Sequence, residues 1–440
     1  MRGKTTNKYG LDEKPPLMAT LVYGLQWLAV SLPTIIVIGQ TAANIHFSDS
    51  ASQINYMQKI FFLMALTMLV QLFLGHRLPA VVGPASILLV GITSSQSSSL
   101  DSIYTSVLIG GILLSLFCVT GLFSKIEALF NKKVVATILL LIALTLLPMI
   151  INLLFTVPAA GLEMFHFGFA LVLLLLMFIA NRYLKGIWKS TLIIWTLIIS
   201  SIVYIVLVPE YAWMSGGSLL SFSNFFAGLN FSFSLDAGVL ISFLVCFIAL
   251  SINDLGTIQA LGQLINAPQM DKRLSSGITV TGIFNILAGF LGVIGPVNYA
   301  LSSGVIATTG VASRFTLVPA GLSILIISFM PGVISFLGGI PPLIIGVIFL
   351  YIMCSQVAAG LVTAFAEEDF SIDDGLTIGI PIMLGLTVAF LPEAVETALP
   401  NLLRPIFANG FVVGTITVLI TEHLIFRKRK IKTIEAVNLD

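Results

Sequence analysis

Charge is what this chain has least of. Only 9% of its 440 residues are Asp, Glu, Lys or Arg, against roughly a quarter in soluble globular proteins. Hydrophobic residues make up 57% and mean hydropathy is +1.06, which excludes a water-soluble domain and makes lipid the solvent. The formal net charge of +1 leaves no basic excess, so no nucleic-acid partner is expected. Cysteine is scarce too: Cys118, Cys246 and Cys354 lie far apart in apolar runs, giving neither a disulfide framework nor metal-ligand spacing. They read as packing residues. The histidines His46, His76, His166 and His423 fall in loops or at the ends of apolar stretches, which supports no metal site or catalytic triad. The acidic cluster of Glu367, Glu368, Asp369, Asp373 and Asp374 has no histidine beside it. An enzyme is therefore not expected, and no cofactor is called for. The polar segment Met1–Pro16 lacks a short apolar core followed by small residues, so no cleaved signal peptide is expected.

What the chain has in abundance is apolar stretches of membrane-spanning length. Full-length spans are expected near 17–39, 57–75, 103–123, 134–157, 165–181, 187–208, 237–258, 276–294, 315–337, 341–365, 374–392 and 405–426. Two broken segments near 79–95 and 296–312 bring the total to fourteen. Basic residues alternate loop by loop, at Arg2 to Lys14, Arg77, Lys125 to Lys133, Arg182 to Lys189, Lys272 and Arg273, Arg314, and the tail Arg427 to Lys432. That alternation puts both termini in the cytoplasm. The acidic loop between spans twelve and thirteen carries no basic residue, but acids contribute little to the topology rule.

The broken segments resemble one another. Val81-Val82-Gly83-Pro84-Ala85-Ser86 in the first half is matched by Val293-Ile294-Gly295-Pro296-Val297-Asn298 in the second. Gly and Pro together stop a helix, and a helix stopped inside a membrane leaves backbone groups free to bind a ligand. Seven spans per half is an odd number, so the second copy inserts upside down and the chain reads as a 7+7 inverted repeat. The parts are a cytoplasmic tail at 1–16, a first repeat at 17–208, an extracellular linker at 209–236, a second repeat at 237–426 and a basic cytoplasmic tail at 427–440. The bland alternative is a pair of ordinary proline kinks.

An ionisable side chain inside the hydrocarbon is expensive, so each one marks a possible site. Asp254 is the clear case, within Ser251-Ile252-Asn253-Asp254-Leu255-Gly256-Thr257 of span eight. Asn253 and Asp254 lie about 100° apart around a helix, so one can face a substrate while the other faces a helix partner or water. The competing reading of Asp254 is a carboxylate that snorkels to the cytoplasm.

These residues carry a family resemblance. The segment Gly304-Val305-Ile306-Ala307-Thr308-Thr309-Gly310 to Arg314 resembles the signature of the nucleobase-ascorbate transporter, or xanthine/uracil permease, family. Leu25-Gln26-Trp27 is similar to its Leu-Gln-His, Leu78-Pro79 with Gly83 to Ser86 to its third span, and Gly338 to Pro342 to the start of its twelfth. The resemblance covers essentially the whole chain. It implies an all-α polytopic fold of fourteen segments with a core domain (spans 1–4 and 8–11) and a gate domain (spans 5–7 and 12–14). It also implies nucleobase import coupled to a proton or another cation, with a possible homodimer.

The departures from the family pattern fall at the site itself. Where the family has Glu or Gln followed by Asn before the signature glycine, this chain has Leu301 and Ser302. The family's basic residue after the signature threonine is Gly310 here, and its span-eight Glu aligns with Asn253, one residue before Asp254. Substrate contacts are accordingly expected from Asn253, Ser302, Ser303, Gln26 and the backbone at Ala85, Ser86 and Leu301, with Asp254 as the coupling residue. The serines have a duller reading as small packing residues, Gln26 as a helix-to-helix hydrogen bonder and Arg314 as a topology anchor. The expected function is proton-coupled purine uptake (xanthine, uric acid, hypoxanthine or guanine) with an elevator-like movement of the core against the gate. The alternatives are uracil as substrate, or an anion carrier of the sulfate or bicarbonate type.

Overall fold

The computed structural model describes residues 8–120, 131–156, 161–185, 187–209, 225, 232–299, 302, 305–306, 309–365, 370–400 and 403–426. Leu301, Ser303, Gly304, Thr308, the acids 367–369, most of the polar linker and the basic tail lie outside these residues.

Apolar helices dominate. Helices α1 (Leu17–His46), α2 (Ser50–Phe73), α3 (Ser86–Ser94), α4 (Leu100–Val119), α5 (Lys132–Thr145), α6 (Leu147–Phe155), α7 (Glu163–Tyr183) and α8 (Leu192–Leu207) form the first half. The second half holds α9 (Ala237–Ile265), α10 (Met270–Leu291), α11 (Val318–Ser328), α12 (Pro331–Gly338), α13 (Pro342–Ala364), α14 (Ile372–Ala389) and α15 (Gly410–Ile420). Among the described residues nine helical stretches are long and apolar enough to cross a membrane, with α5 and α6 taken as one. The pair Arg314–Ser328 and Pro331–Gly338 makes a tenth, bent by 94° within the full-length span expected near 315–337. The bend follows from Pro331, whose missing N–H and ring cannot continue α11. Two shorter apolar helices, Leu192–Leu207 and Gly410–Ile425, accompany them.

The broken segments are not kinked helices. Val81–Pro84 (β1) and Pro296–Tyr299 (β2) are short strands that pair antiparallel, Val81 opposite Tyr299 and Pro84 opposite Pro296. The fold is otherwise all-helical, and this ladder is its one sheet among the described residues. The two prolines face each other at the end of the ladder, where neither has an N–H to give. The ladder then yields to Ala85 N, which donates to the Gly295 carbonyl at 2.9 Å, and α3 begins. Gly83 is required by close approach: a Cβ there would stand 2.3 Å from Cε2 of Tyr299.

The helices pack in two groups. α4 lies against α9 and α10, and α2 against α1 and α11, with the strand pair among them. At the α4–α10 contact a Cβ on Gly111 would reach 2.6 Å from the Ile286 amide, so small residues let the two backbones meet. In the other group α5, α13, α14 and α15 pack together, with α6, α7 and α8 around α13. An ion triad, buried at Lys133 and Asp374, ties this group at one end: Lys133 Nζ is 2.6 Å from Asp374 and 3.4 Å from Glu422. Large apolar side chains such as Leu175, Ile199, Val206 and Val362 are exposed along the spans and form a lipid-facing surface.

Candidate functional site

Between the two groups, against the strand pair, lies a cavity of about 340 Å³. Its walls are Thr34 and Ile38 of α1, Ser86 and Ile87 of α3, Asn253 of α9, Val297 to Tyr299 of β2, and Ile352 to Ala359 of α13. The size lies within the range of small-molecule sites. No charged side chain is among the lining residues. A second cavity of about 440 Å³ lies farther along the same α1 and α3, lined by Thr41, Asn44, Thr93 and Ser94 with Asn152 and Asn409 from the other group. It is the larger, yet the residues singled out by the broken segments sit in the smaller one.

Four side chains that line the 340 Å³ cavity keep hydrogen-bonding capacity in hand, the exposed Ser355 among them. Asn253, Gln356 and Ser86 are partly exposed to it and have no hydrogen-bond partner among the described residues. α3 adds backbone donors: its N-cap Ala85 gives no side-chain bond, and Ser86 and Ile87 of its uncapped first turn line the cavity. Two amides, two hydroxyls and a helix start can match the alternating donors and acceptors of a flat heterocycle.

Asn253 and Asp254 face different surroundings, as a 100° separation requires. Asp254 is fully buried and does not line the cavity. It accepts from Thr281 Oγ1 at 2.6 Å, from the Asn298 backbone N at 2.9 Å and from Asn298 Nδ2 at 2.7 Å. It does not snorkel to the surface.

The remaining sequence-derived residues sit elsewhere. Ala85 is buried with its N–H spent on Gly295, so it offers no free amide. Ser302 is fully buried: its Oγ accepts from Val81 N at 2.8 Å and donates to the Tyr299 carbonyl at 3.0 Å, which holds the chain leaving β2 against β1. Gln26 is buried two turns before Thr34 on α1 and outside the cavity lining, with its Nε2 unpartnered. Trp27, where the family pattern has histidine, donates to Thr316 Oγ1 at 3.0 Å and pins α1 to the turn Arg314–Leu317. Arg314 pairs with Asp12 at 2.8 Å and donates to the Leu72 carbonyl.

Two residues escaped sequence reasoning. Gln356 stands with Ser355 in the largely apolar α13, a polar interruption of the kind that marks a cavity wall. His76, beside Arg77, looked like a loop residue; it is fully buried in the connection between α2 and β1. Its Nδ1 accepts from Leu78 N at 2.9 Å, which leaves the proton on Nε2, 3.0 Å from Asn298 Oδ1. Burial pushes the imidazole down to about 4, so it is neutral near pH 7.

Over residues 18–394 the sequence matches the profile Xan_ur_permease, described as a permease family. The chain belongs to the xanthine/uracil permease family. The permease is a multi-pass membrane transporter and not an enzyme. It is 27% identical over 428 residues to the protein named Putative purine permease CPE0397 of Clostridium perfringens, covering 94% of this chain and 91% of that one. It is 25% identical over 370 residues to the nucleobase transporter PlUacP of Paenibacillus larvae, covering 81% and 82%. Its fold is similar to the transmembrane domain of a cyanobacterium bicarbonate transporter, BicA, with a TM-score of 0.60 at 16% identity over 85% of this chain and 96% of that one.

Proposed function

We propose that this permease imports a purine base across the plasma membrane by proton symport, holding it in the 340 Å³ cavity. The observation that carries the reading is the set of uncommitted polar groups there, Asn253, Gln356, Ser86 and Ser355, in a wall free of charged side chains. Such a wall suits a neutral heterocycle: an anion would lose hydration with only helix-start dipoles in return. Hypoxanthine and guanine, neutral near pH 7, fit that chemistry better than urate. In this reading the chain has fourteen membrane segments in a 7+7 inverted repeat, with β1–α3 as the third and the segment begun by β2 as the tenth, and both termini cytoplasmic. The core is spans 1–4 and 8–11, the gate spans 5–7 and 12–14, and the cavity lies between them.

Asp254 is the coupling residue. It is buried, acidic, and joined to the cavity wall through Asn298. The 440 Å³ cavity, next to the first along α1 and α3, supplies the outer approach. The likeness to a bicarbonate transporter supports a second reading as an anion carrier, against which stands the absence of a basic side chain among the cavity residues.

The test is uptake of radiolabelled hypoxanthine, guanine, xanthine, uric acid, adenine and uracil into cells lacking their own nucleobase permeases, with and without a proton uncoupler. Uncoupler-sensitive accumulation of a purine is expected. Uncoupler-sensitive uptake of uracil alone would make it the uracil permease of the family. No uptake of any base by well-expressed protein would leave the anion reading.

A further inference from the structure

Behind the cavity wall, five residues close a hydrogen-bonded ring, four links of which are between side chains and the fifth through the His76 backbone. Asp254 of α9 accepts both nitrogens of Asn298 at 2.9 and 2.7 Å and the Thr281 hydroxyl of α10 at 2.6 Å. Gln71 of α2 donates Nε2 to Thr281 Oγ1 at 3.1 Å and to the Gly277 carbonyl at 2.8 Å. Its Oε1 accepts the backbone N–H of His76 at 3.3 Å. His76 Nε2–H completes the circuit to Asn298 Oδ1 at 3.0 Å. None of the five is more than 1% exposed. Asn298 alone among them lines the cavity.

The ring is not a proton wire, because the amide of Asn298 separates imidazole from carboxylate and does not pass protons. What it can transmit is charge. An ionised carboxylate accepts the two Asn298 nitrogens as charge-assisted bonds about twice as strong as neutral ones. On protonation that hold slackens, and the wall formed by Val297, Asn298 and Tyr299 loses its anchor to α9. We infer that Asn298 is the positioning residue through which the protonation state of Asp254 reaches the transport cavity, with His76 orienting its amide. The inference rests on the cavity being the substrate site and on Asp254 taking the coupling proton.

Other groups face this arrangement. On α4 the Cys118 thiol lies within electrostatic reach of Asp254. On the far side of His76, Arg273 of α10 donates to the carbonyls of His76 and Arg77 at 2.9 and 3.0 Å. Neither hydrogen-bonds the carboxylate, so Asn298 is the one ring member that touches both Asp254 and the cavity.

The experiment is binding of labelled hypoxanthine to the purified permease in liposomes across about pH 5 to 8, where one linked proton changes affinity by at most about tenfold per unit. Wild type is expected to show a pH dependence within that limit. Asn298→Ala and His76→Leu should flatten it to about twofold over the whole range, for lack of a linked proton. His76→Gln, which keeps an amide donor near the Nε2 position, should restore most of it. A plain structural role would lower the amount of folded protein without changing the slope. A wild-type slope in both Asn298→Ala and His76→Leu, or a wild type that binds with no pH dependence, refutes the inference. If Asn298→Ala does not assemble, the His76→Leu and His76→Gln pair makes the same comparison without altering the strand. Absence of hypoxanthine binding in wild type defeats the substrate reading itself, and the inference with it.

Discussion

Replacing Asp254 by asparagine and by alanine separates its charge from its hydrogen bonds. The carboxylate accepts three donors, Thr281 Oγ1 and the two nitrogens of Asn298. In Asp254→Ala the Thr281 hydroxyl can turn to the carbonyl four residues back, but both Asn298 donors are stranded in a site sealed from water. Each unsatisfied buried donor costs roughly 1–3 kcal/mol, so the loss is roughly 2–6 kcal/mol before the empty volume is counted. In Asp254→Asn the new Oδ1 still receives Asn298, and its Nδ2 faces a Thr281 hydroxyl that reverses to accept. That exchange costs about 1 kcal/mol and removes the ionisable group. Asp254→Asn should therefore remain folded and bind substrate while losing uncoupler-sensitive accumulation. Asp254→Ala should already be depleted from the monodisperse peak in size-exclusion chromatography after heating to a temperature the wild type survives. An Asp254→Ala protein as heat-stable as wild type would refute the clamp. Full pH-dependent accumulation by Asp254→Asn would refute the coupling role.

Other consequences are open to direct measurement. Asn253→Leu and Gln356→Leu each take an uncommitted amide from the cavity; a lost hydrogen bond of about 1–2 kcal/mol raises KM for uptake roughly 5- to 30-fold, and unchanged KM in both would move the site elsewhere. Gly83→Ala drives a methyl to 2.3 Å from the Tyr299 ring, a cavity wall; transport should fall with a stability loss of about 1–3 kcal/mol, and a fully active variant would show that the strands can part. His76 gives a pH signature with a definite sign. Its pKa is held at about 4 against an ordinary 6.5, so between these values the unfolded chain binds a proton that the folded one does not, and stability falls as pH falls, by about 1.4 kcal/mol per unit. Heat stability of His76→Gln should lack that slope, and a slope equal to the wild type's would refute the buried neutral imidazole.

Much of this was legible from residue order. Low charge and long apolar runs require a membrane protein whatever the packing, because the transfer energies are properties of the side chains themselves. Gly83-Pro84 and Gly295-Pro296 mark two matched interruptions, since Pro lacks an N–H wherever it stands. Helical geometry alone requires that Asn253 and Asp254 point apart. Which of the two meets the cavity is a question of neighbours. Only the packing of β2 and α10 against α9 turns Asp254 inward to Asn298 and Thr281 and leaves Asn253 to the open side. The pairing of β1 with β2 was equally out of reach, because four-residue strands from opposite halves find each other through tertiary contact and not through local propensity. Ser302 reads the same in sequence as ligand or as tether, and His76 the same as solvated loop or as buried donor. A polar side chain's role is set by which groups the fold brings within 3 Å of it, and that distance is decided between segments far apart in the chain.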